Sequence, residues 1–213
     1  MAPHYQDKNI TIHKLKCGPY DNNAYLVVCP QTNESIMIDT PPDPGKPIEA
    51  AKATKVQSLI ITHNHFDHIE GFAQVTSAID TRVGIAEVDA RALPKPPDFH
   101  LNDGDEIRAG TVTLKVLSTP GHTPGSVCLS TGKHLFSGDT LFPGGPGKTG
   151  TPENLKQIIK SITEKLLVLD DGMTLYPGHG DDGGLKTAKE EYAAFASREH
   201  PAGLCGDVLW LGS

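Results

Sequence analysis

The chain has no pair of cysteines spaced as C-x-x-C; Cys17, Cys29, Cys128 and Cys205 stand apart from one another. Thiolate metal sites and disulfide frameworks need clustered or regularly spaced cysteines, so neither is expected and the four read as small buried hydrophobes. Nowhere does an apolar run reach the roughly 18 residues of a membrane-spanning helix, and the first eight residues carry no apolar stretch of the signal-peptide kind. A soluble, cytoplasmic protein without a membrane partner is therefore expected. Runs of Lys and Arg are missing as well, and the formal net charge is -7. That balance offers no footprint for a phosphate backbone, which argues against nucleic acid as a partner. The G-x-S-x-G pattern of a serine nucleophile elbow does not occur. Aromatics are scarce at 6%, while 22 Gly and 17 Pro predict many loops that carry function.

Against these absences stands the segment Thr62-His63-Asn64-His65-Phe66-Asp67-His68, with three imidazoles and a carboxylate between His63 and His68. No packing requirement accounts for that density. Imidazole nitrogen and carboxylate oxygen are ligands that suit zinc, iron and manganese, whereas soft thiolates would favour clusters or structural zinc. On an extended segment, residues two apart project the same way, so His63 and His65 are expected to converge on one ion. A helix beginning near Ile69 would swing Asp67 and His68 toward a second ion. Two adjacent divalent metals are therefore expected, zinc foremost, with iron or manganese also compatible.

The surrounding pattern predicts short strands at Ile10–Leu15, Ala24–Cys29 and Ser35–Asp39, then a helix over Lys46–Thr54 and a buried strand at Val56–Ile61 that delivers the motif. A helix over Ile69–Ala78, a strand at Arg82–Ile85 and a surface loop at Leu93–Pro97 follow. Strands are next expected at Thr111–Leu117, Ser126–Ser130 and His134–Ser137. A helix over Pro152–Val168 is capped by Thr151, and Thr174–Tyr176 makes a last short strand. A final helix over Leu185–Ser197 leaves a short tail to Ser213. Strand-rich blocks joined by single helices predict one domain over residues 1–213, in the α/β class, with two sheets face to face and helices outside.

Three further turns repeat the first motif's layout, each placing a His or Asp among Gly and Pro just after a strand: His122 in Pro120-Gly121-His122-Thr123-Pro124-Gly125, Asp139 in Gly138-Asp139-Thr140, and His179 in Pro177-Gly178-His179. Taken together, Thr-His-x-His-x-Asp-His, Gly-His-Thr-Pro-Gly, Gly-Asp-Thr and Pro-Gly-His resemble the metallo-β-lactamase superfamily, over a span from Asp21 to His179. The resemblance implies an αββα sandwich with mixed sheets and metals at their edge. It also implies a ligand set: His63, His65 and His122 for the first ion, Asp67, His68 and His179 for the second, and Asp139 between them. Asp39, in Met37-Ile38-Asp39-Thr40, matches an aspartate that orients a ligand histidine in relatives. His4, His13, His100, His134 and His200 lack such a context and read as surface or structural.

Within the superfamily, Gly138-Asp139-Thr140-Leu141-Phe142 followed by Gly145-x-Gly147-Lys148 is similar to glyoxalase II, the hydroxyacylglutathione thioesterase. That likeness makes Lys148 a candidate contact for the thiol carrier of a small acyl or thioester substrate. The sequence departs from glyoxalase II at Thr149-Gly150, where the family carries an aromatic. The implied chemistry is hydrolysis by a hydroxide shared between two metals, with Asp139 bridging them and Asp67 orienting the nucleophile. A thiolate leaves without a strong general acid, which favours thioester or ester cleavage over β-lactam cleavage, although lactonase or β-lactamase activity suits the same fold. An oxygenase of the persulfide dioxygenase type, with one iron held by the equivalents of His63, His122 and Asp139, is the alternative. Its usual Arg-Thr-Asp is Lys148-Thr149-Gly150 here. A diiron reductase on this fold carries Glu at the position of His65. A non-catalytic binding module is the remaining reading.

Overall fold

Apolar runs that are buried on both faces read as continuous rather than alternating, and they form central strands of mixed sheets. In the computed structural model of the chain, which describes residues 2–213, these runs build two such sheets. The first is ordered β1 (Tyr5–Gln6), β2 (Thr11–Cys17), β3 (Asn22–Val28), β4 (Glu34–Ile38), β5 (Lys55–Ile60), β6 (Arg82–Ile85) and β7 (Phe99–His100). It is an antiparallel meander as far as β4 and parallel from there on. The second contains β8 (Glu106–Ala109), β9 (Val112–Ser118), β10 (Val127–Thr131), β11 (His134–Gly138), β14 (Thr174–Pro177) and β15 (Gly183–Gly184), after the small hairpin β12 (Leu141–Phe142) and β13 (Gly145–Pro146). Its one parallel pair is β11 with β14.

Three apolar layers hold these sheets. Between them Ile12, Tyr25, Val27, Ile36 and Ile60 face Leu114, Val116, Val127, Leu129 and Phe136. On the outer face of the first sheet, Leu26, Met37 and Leu59 pack with Phe72 and Val75 beneath α1 (Gly45–Lys52) and α3 (Phe72–Ala78). On the other outer face, Leu135 and Leu175 meet Leu155 and Ile158 of α4 (Pro152–Ser161) and Leu185 and Phe195 of α5 (Leu185–Ala196). The result is the expected αββα order. Full burial of one such side chain stabilises by roughly 1.5–3 kcal/mol, and a one-residue register slip would exchange the two faces of a strand. No described helix is long and apolar enough to cross a membrane.

The layers bring one end of each central strand to a common edge. Asp39 follows β4, the 62–68 motif follows β5, His122 lies between β9 and β10, Asp139 follows β11 and His179 follows β14.

The structure differs from expectation in several places. The helix expected from Ile69 is two pieces, α2 (Phe66–Ile69) and α3, parted at Gly71. At the break Gly71 N donates outside the helix, to Thr40 O at 2.8 Å, and the close packing admits only glycine, since a Cβ there would overlap the Pro41 carbonyl and the Pro44 ring. α4 is capped as expected, with Thr151 Oγ1 accepting from Asn154 N, but residues 162–166 unwind into a π turn rather than continuing the helix to Val168. β8 was not anticipated. Its alternation of exposed Glu106 and Arg108 with buried Ile107 and Ala109 marks a half-solvated edge strand only four residues long. Cys17, Cys29 and Cys128 are buried, whereas Cys205 is only partly so.

Candidate metal centre

From Ile61 the chain stays extended through His65, whose φ of -68° and ψ of 142° open α2. Side chains two apart therefore share a side, and the rings of His63 and His65 stand 4.9 Å apart edge to face. His122 comes in from the β9–β10 turn with its ring 4.4 Å from that of His65. The ligand atoms of this trio lie within 4.8 Å of one another. The turn into α2 redirects Asp67 and His68 toward His179, forming a second trio at the same spacing. A third, of His63, His68 and Asp139, joins the two. All seven residues singled out from the sequence thus meet at one edge.

The imidazoles are oriented from behind. Thr62 Oγ1 donates to Asp39 Oδ2 at 2.8 Å, so it must accept from His63 Nδ1 at 3.0 Å. His68 Nδ1 donates to Asp39 Oδ2 at 2.9 Å, His122 Nδ1 to Lys148 O at 2.7 Å and His179 Nδ1 to Tyr20 O at 2.7 Å. With each Nδ1 proton fixed by an acceptor, Nε2 is turned inward, as in histidines that ligate metals. Asp67 Oδ2 accepts from Asn22 Nδ2 at 2.8 Å.

The inner atoms are poorly satisfied by the protein. His63 Nε2, His122 Nε2 and Asp139 Oδ1 are buried without a hydrogen-bond partner. Leaving such a group unpaired costs roughly 1–3 kcal/mol. Asp139 stands 3.4 Å from His68 Nε2, 3.4 Å from His179 Nε2 and 3.5 Å from His122 Nε2, too far for strong hydrogen bonds. Nitrogen and oxygen lone pairs converging at this spacing suit a transition-metal cation. A Cβ at Gly178 would overlap Asp139 Oδ1 and His68 Cε1, so the backbone there packs directly against the cluster.

Charge is unevenly shared. Burial, helped by the charge on His68, holds His63 well below the usual imidazole range, and burial beside His122 lowers His65. Burial opposes charge on His68 too, but Asp139 and Asp39 outweigh it and raise its pKa well above the ordinary value. His179, likewise buried, is raised to about 10 by Asp139 and Asp67. Against their own desolvation, hydrogen bonds from His179 and Asn22 hold Asp67 low, and the charge of His68 does the same for Asp139.

Two supporting residues escaped the sequence reading. Buried Asp89 accepts from Asn64 N at 3.2 Å, Asn64 Nδ2 at 3.1 Å, Thr123 Oγ1 at 2.7 Å and Gly125 N at 3.1 Å. It thereby ties the residue between His63 and His65 to the residue after His122. Lys14, with its side chain only 7% exposed, donates to Gly180 O at 2.7 Å and Asp182 Oδ1 at 2.6 Å behind the His179 turn. Neither carried a local signal, because each partner lies on a remote loop. Asp39, expected beside a ligand histidine, is there. Lys148 is beside the cluster, its ammonium pointing outward to Asp207 at 3.1 Å.

A pair of mixed sheets with helices outside, and a His/Asp cluster where their strands end, define an αββα architecture with a candidate metal centre at its edge. Residues 17–179 match the model of the metallo-beta-lactamase superfamily, and the chain belongs to that superfamily. The hydroxyacylglutathione hydrolase of Polaromonas sp. is 37% identical over 166 residues, which cover 75% of this chain and 62% of that protein. The chain thus spans under two thirds of the length of this relative. Among solved structures, the BLEG-1 B3 metallo-beta-lactamase superposes with a TM-score of 0.76 at 25% identity, covering 84% of this chain and 96% of its own. TTHA1623, solved in a di-iron-bound form, gives 0.69 at 30% identity, covering 83% and 96%.

Proposed function

We propose that the chain is a dinuclear metal-dependent hydrolase acting on a thioester or related acyl bond of a small molecule. The observation that carries this reading is the set of three overlapping trios, among whose inner atoms His63 Nε2, His122 Nε2 and Asp139 Oδ1 are buried and unpaired. His63, His65 and His122 would hold one ion, Asp67, His68 and His179 the other, and Asp139 would contribute to both. Zinc, iron or manganese suits this donor set, and a pair of such ions supplies Lewis acidity and a water that ionises near neutral pH.

The protein's own groups do the rest. Asp67, fixed by Asn22 and His179 and partly exposed, presents a carboxylate oxygen to the attacking water and orients it. Asp39 and the carbonyls of Tyr20 and Lys148 keep the imidazoles from rotating, so the geometry costs little reorganisation during reaction. A thiol has a pKa of about 8.5, so a thiolate leaves without taking a proton, whereas an amide nitrogen must receive one. The named relative, a hydroxyacylglutathione hydrolase, supports the thioester reading.

The test is elemental analysis of protein purified without added metal, combined with assays on S-lactoylglutathione, simple acyl thioesters and lactones. Two ions per chain and turnover of a thioester are expected. Metal-loaded protein inert toward all three groups would refute the reading, as would a single iron with oxygen uptake on a persulfide.

A further inference from the structure

The segment after α5 is built into the mouth of the site. Thr149 and Gly206 exchange backbone hydrogen bonds at 3.1 and 2.9 Å, and Trp210 N donates to Gly144 O at 2.8 Å. The Trp210 ring is fully buried, 5.3 Å from Tyr192 and 4.9 Å from Phe195. A Cβ at Gly145 would overlap the Val208 carbonyl, so strap and loop are in direct backbone contact. Residues 206–210 therefore form a fixed wall facing the turn that carries Lys148.

Between wall and turn opens a cavity of about 250 Å³. His122 and Asp139 close its inner end, and Phe142, Pro146, Val208 and Leu209 give it apolar sides. On its rim, Lys148 Nζ lies 3.1 Å from Asp207 Oδ2. Clefts that bury most of a drug-sized ligand run from roughly 300 to 1,000 Å³, so this one takes a compact portion only. An unpaired ammonium at such a rim would draw in carboxylates; paired with Asp207 it presents no net charge.

We propose that Asp207 sets the substrate class of this cavity: by neutralising Lys148 it favours acyl thioesters with a compact, uncharged thiol portion over thiol carriers that bear carboxylates. The inference rests on the hydrolase reading of the adjoining cluster. A carboxylate-bearing ligand must displace Asp207 to reach Lys148, whereas an uncharged thiol portion meets only the apolar walls and an intact ion pair. Both side chains are well exposed, at 67% and 76%, so replacing either leaves the packed strap in place.

The experiment compares kcat/KM for the acetyl thioesters of glutathione and of N-acetylcysteamine, in the wild-type protein and in Asp207→Asn. The wild type should prefer the uncharged thioester. Asp207→Asn should shift the ratio about fivefold toward the glutathione ester, through KM, and added Lys148→Met should cancel that shift. A parallel measurement takes catalysis out of the question: calorimetric binding of S-hexylglutathione, which cannot be hydrolysed, should strengthen in Asp207→Asn and weaken with salt. If neither thioester turns over while this binding still responds to Asp207, the hydrolase reading falls and the role of Asp207 stands. Selectivity and binding both indifferent to Asp207, or no binding of S-hexylglutathione to either protein, overturn the proposal.

Discussion

The two halves of the cluster have similar donors and opposite electrostatics. In the half made by His63, His65 and His122, the His63 and His122 Nε2 atoms face inward with no partner, and His63 and His65 are pushed toward neutrality. In the half made by Asp67, His68 and His179, carboxylates face the imidazoles: His179 Nε2 lies 3.1 Å from Asp67 Oδ2, and His68 Nε2 lies 3.4 Å from Asp139 Oδ1. Both of its imidazoles have raised pKa values, held up by carboxylates. One half is thus a set of free lone pairs waiting for a cation, and the other is a proton-bridged network that a cation must break. The first half should fill first.

The largest effect should come from the residue common to both. Asp139→Asn removes a charge that faces His68, His122 and His179, and metal content should fall below one ion per chain, with activity down more than about 100-fold. Unchanged stoichiometry by elemental analysis would count against the shared role.

Next come the supports, which separate the halves. Asp89→Ala frees Asn64 and Thr123 and should weaken the tighter ion about 10- to 100-fold in a competition titration with a chelator. Lys14→Met loosens the turn behind His179 and should weaken only the second ion, by a smaller factor. Equal losses at both ions from either variant would erase the distinction between the halves. The smallest effect belongs outside the site. Thr151→Ala removes the α4 cap and should lower unfolding free energy by about 1 kcal/mol in denaturant titrations, with metal content untouched.

Much of this was legible in the chain. The apolar runs of β3 and β4 are long enough to read as buried strands, β5 is buried only in its second half, from Ser58, and the ligands declare themselves because His, Asp and Gly recur just after such runs. What stayed hidden depends on contacts between distant segments. Asp89, in a polar Glu87–Ala92 turn, looks solvent-exposed until Asn64 and Thr123 are seen to point at it. Gly71 looks like an ordinary helix residue until the Pro41–Pro44 turn is packed on it. Val208, Leu209 and Trp210 read as a tail end, yet Val208 and Trp210 complete an apolar layer and Leu209 lines the cavity.

Proton linkage tests the contrast between the halves most directly. An imidazole whose pKa is raised to about 10, as for His179, keeps its proton at neutral pH, so a cation must displace it and affinity rises with pH until that pKa is passed. Neutral His63 and His65 demand no such exchange. Metal-free protein titrated with zinc by calorimetry, at about pH 6.5 and about pH 8.5 in buffers of different ionisation enthalpy, should take up two ions. The tighter should release few protons and change little with pH, while the weaker should release protons and tighten as pH rises. A single ion per chain, or two ions with the same proton release, would contradict the account.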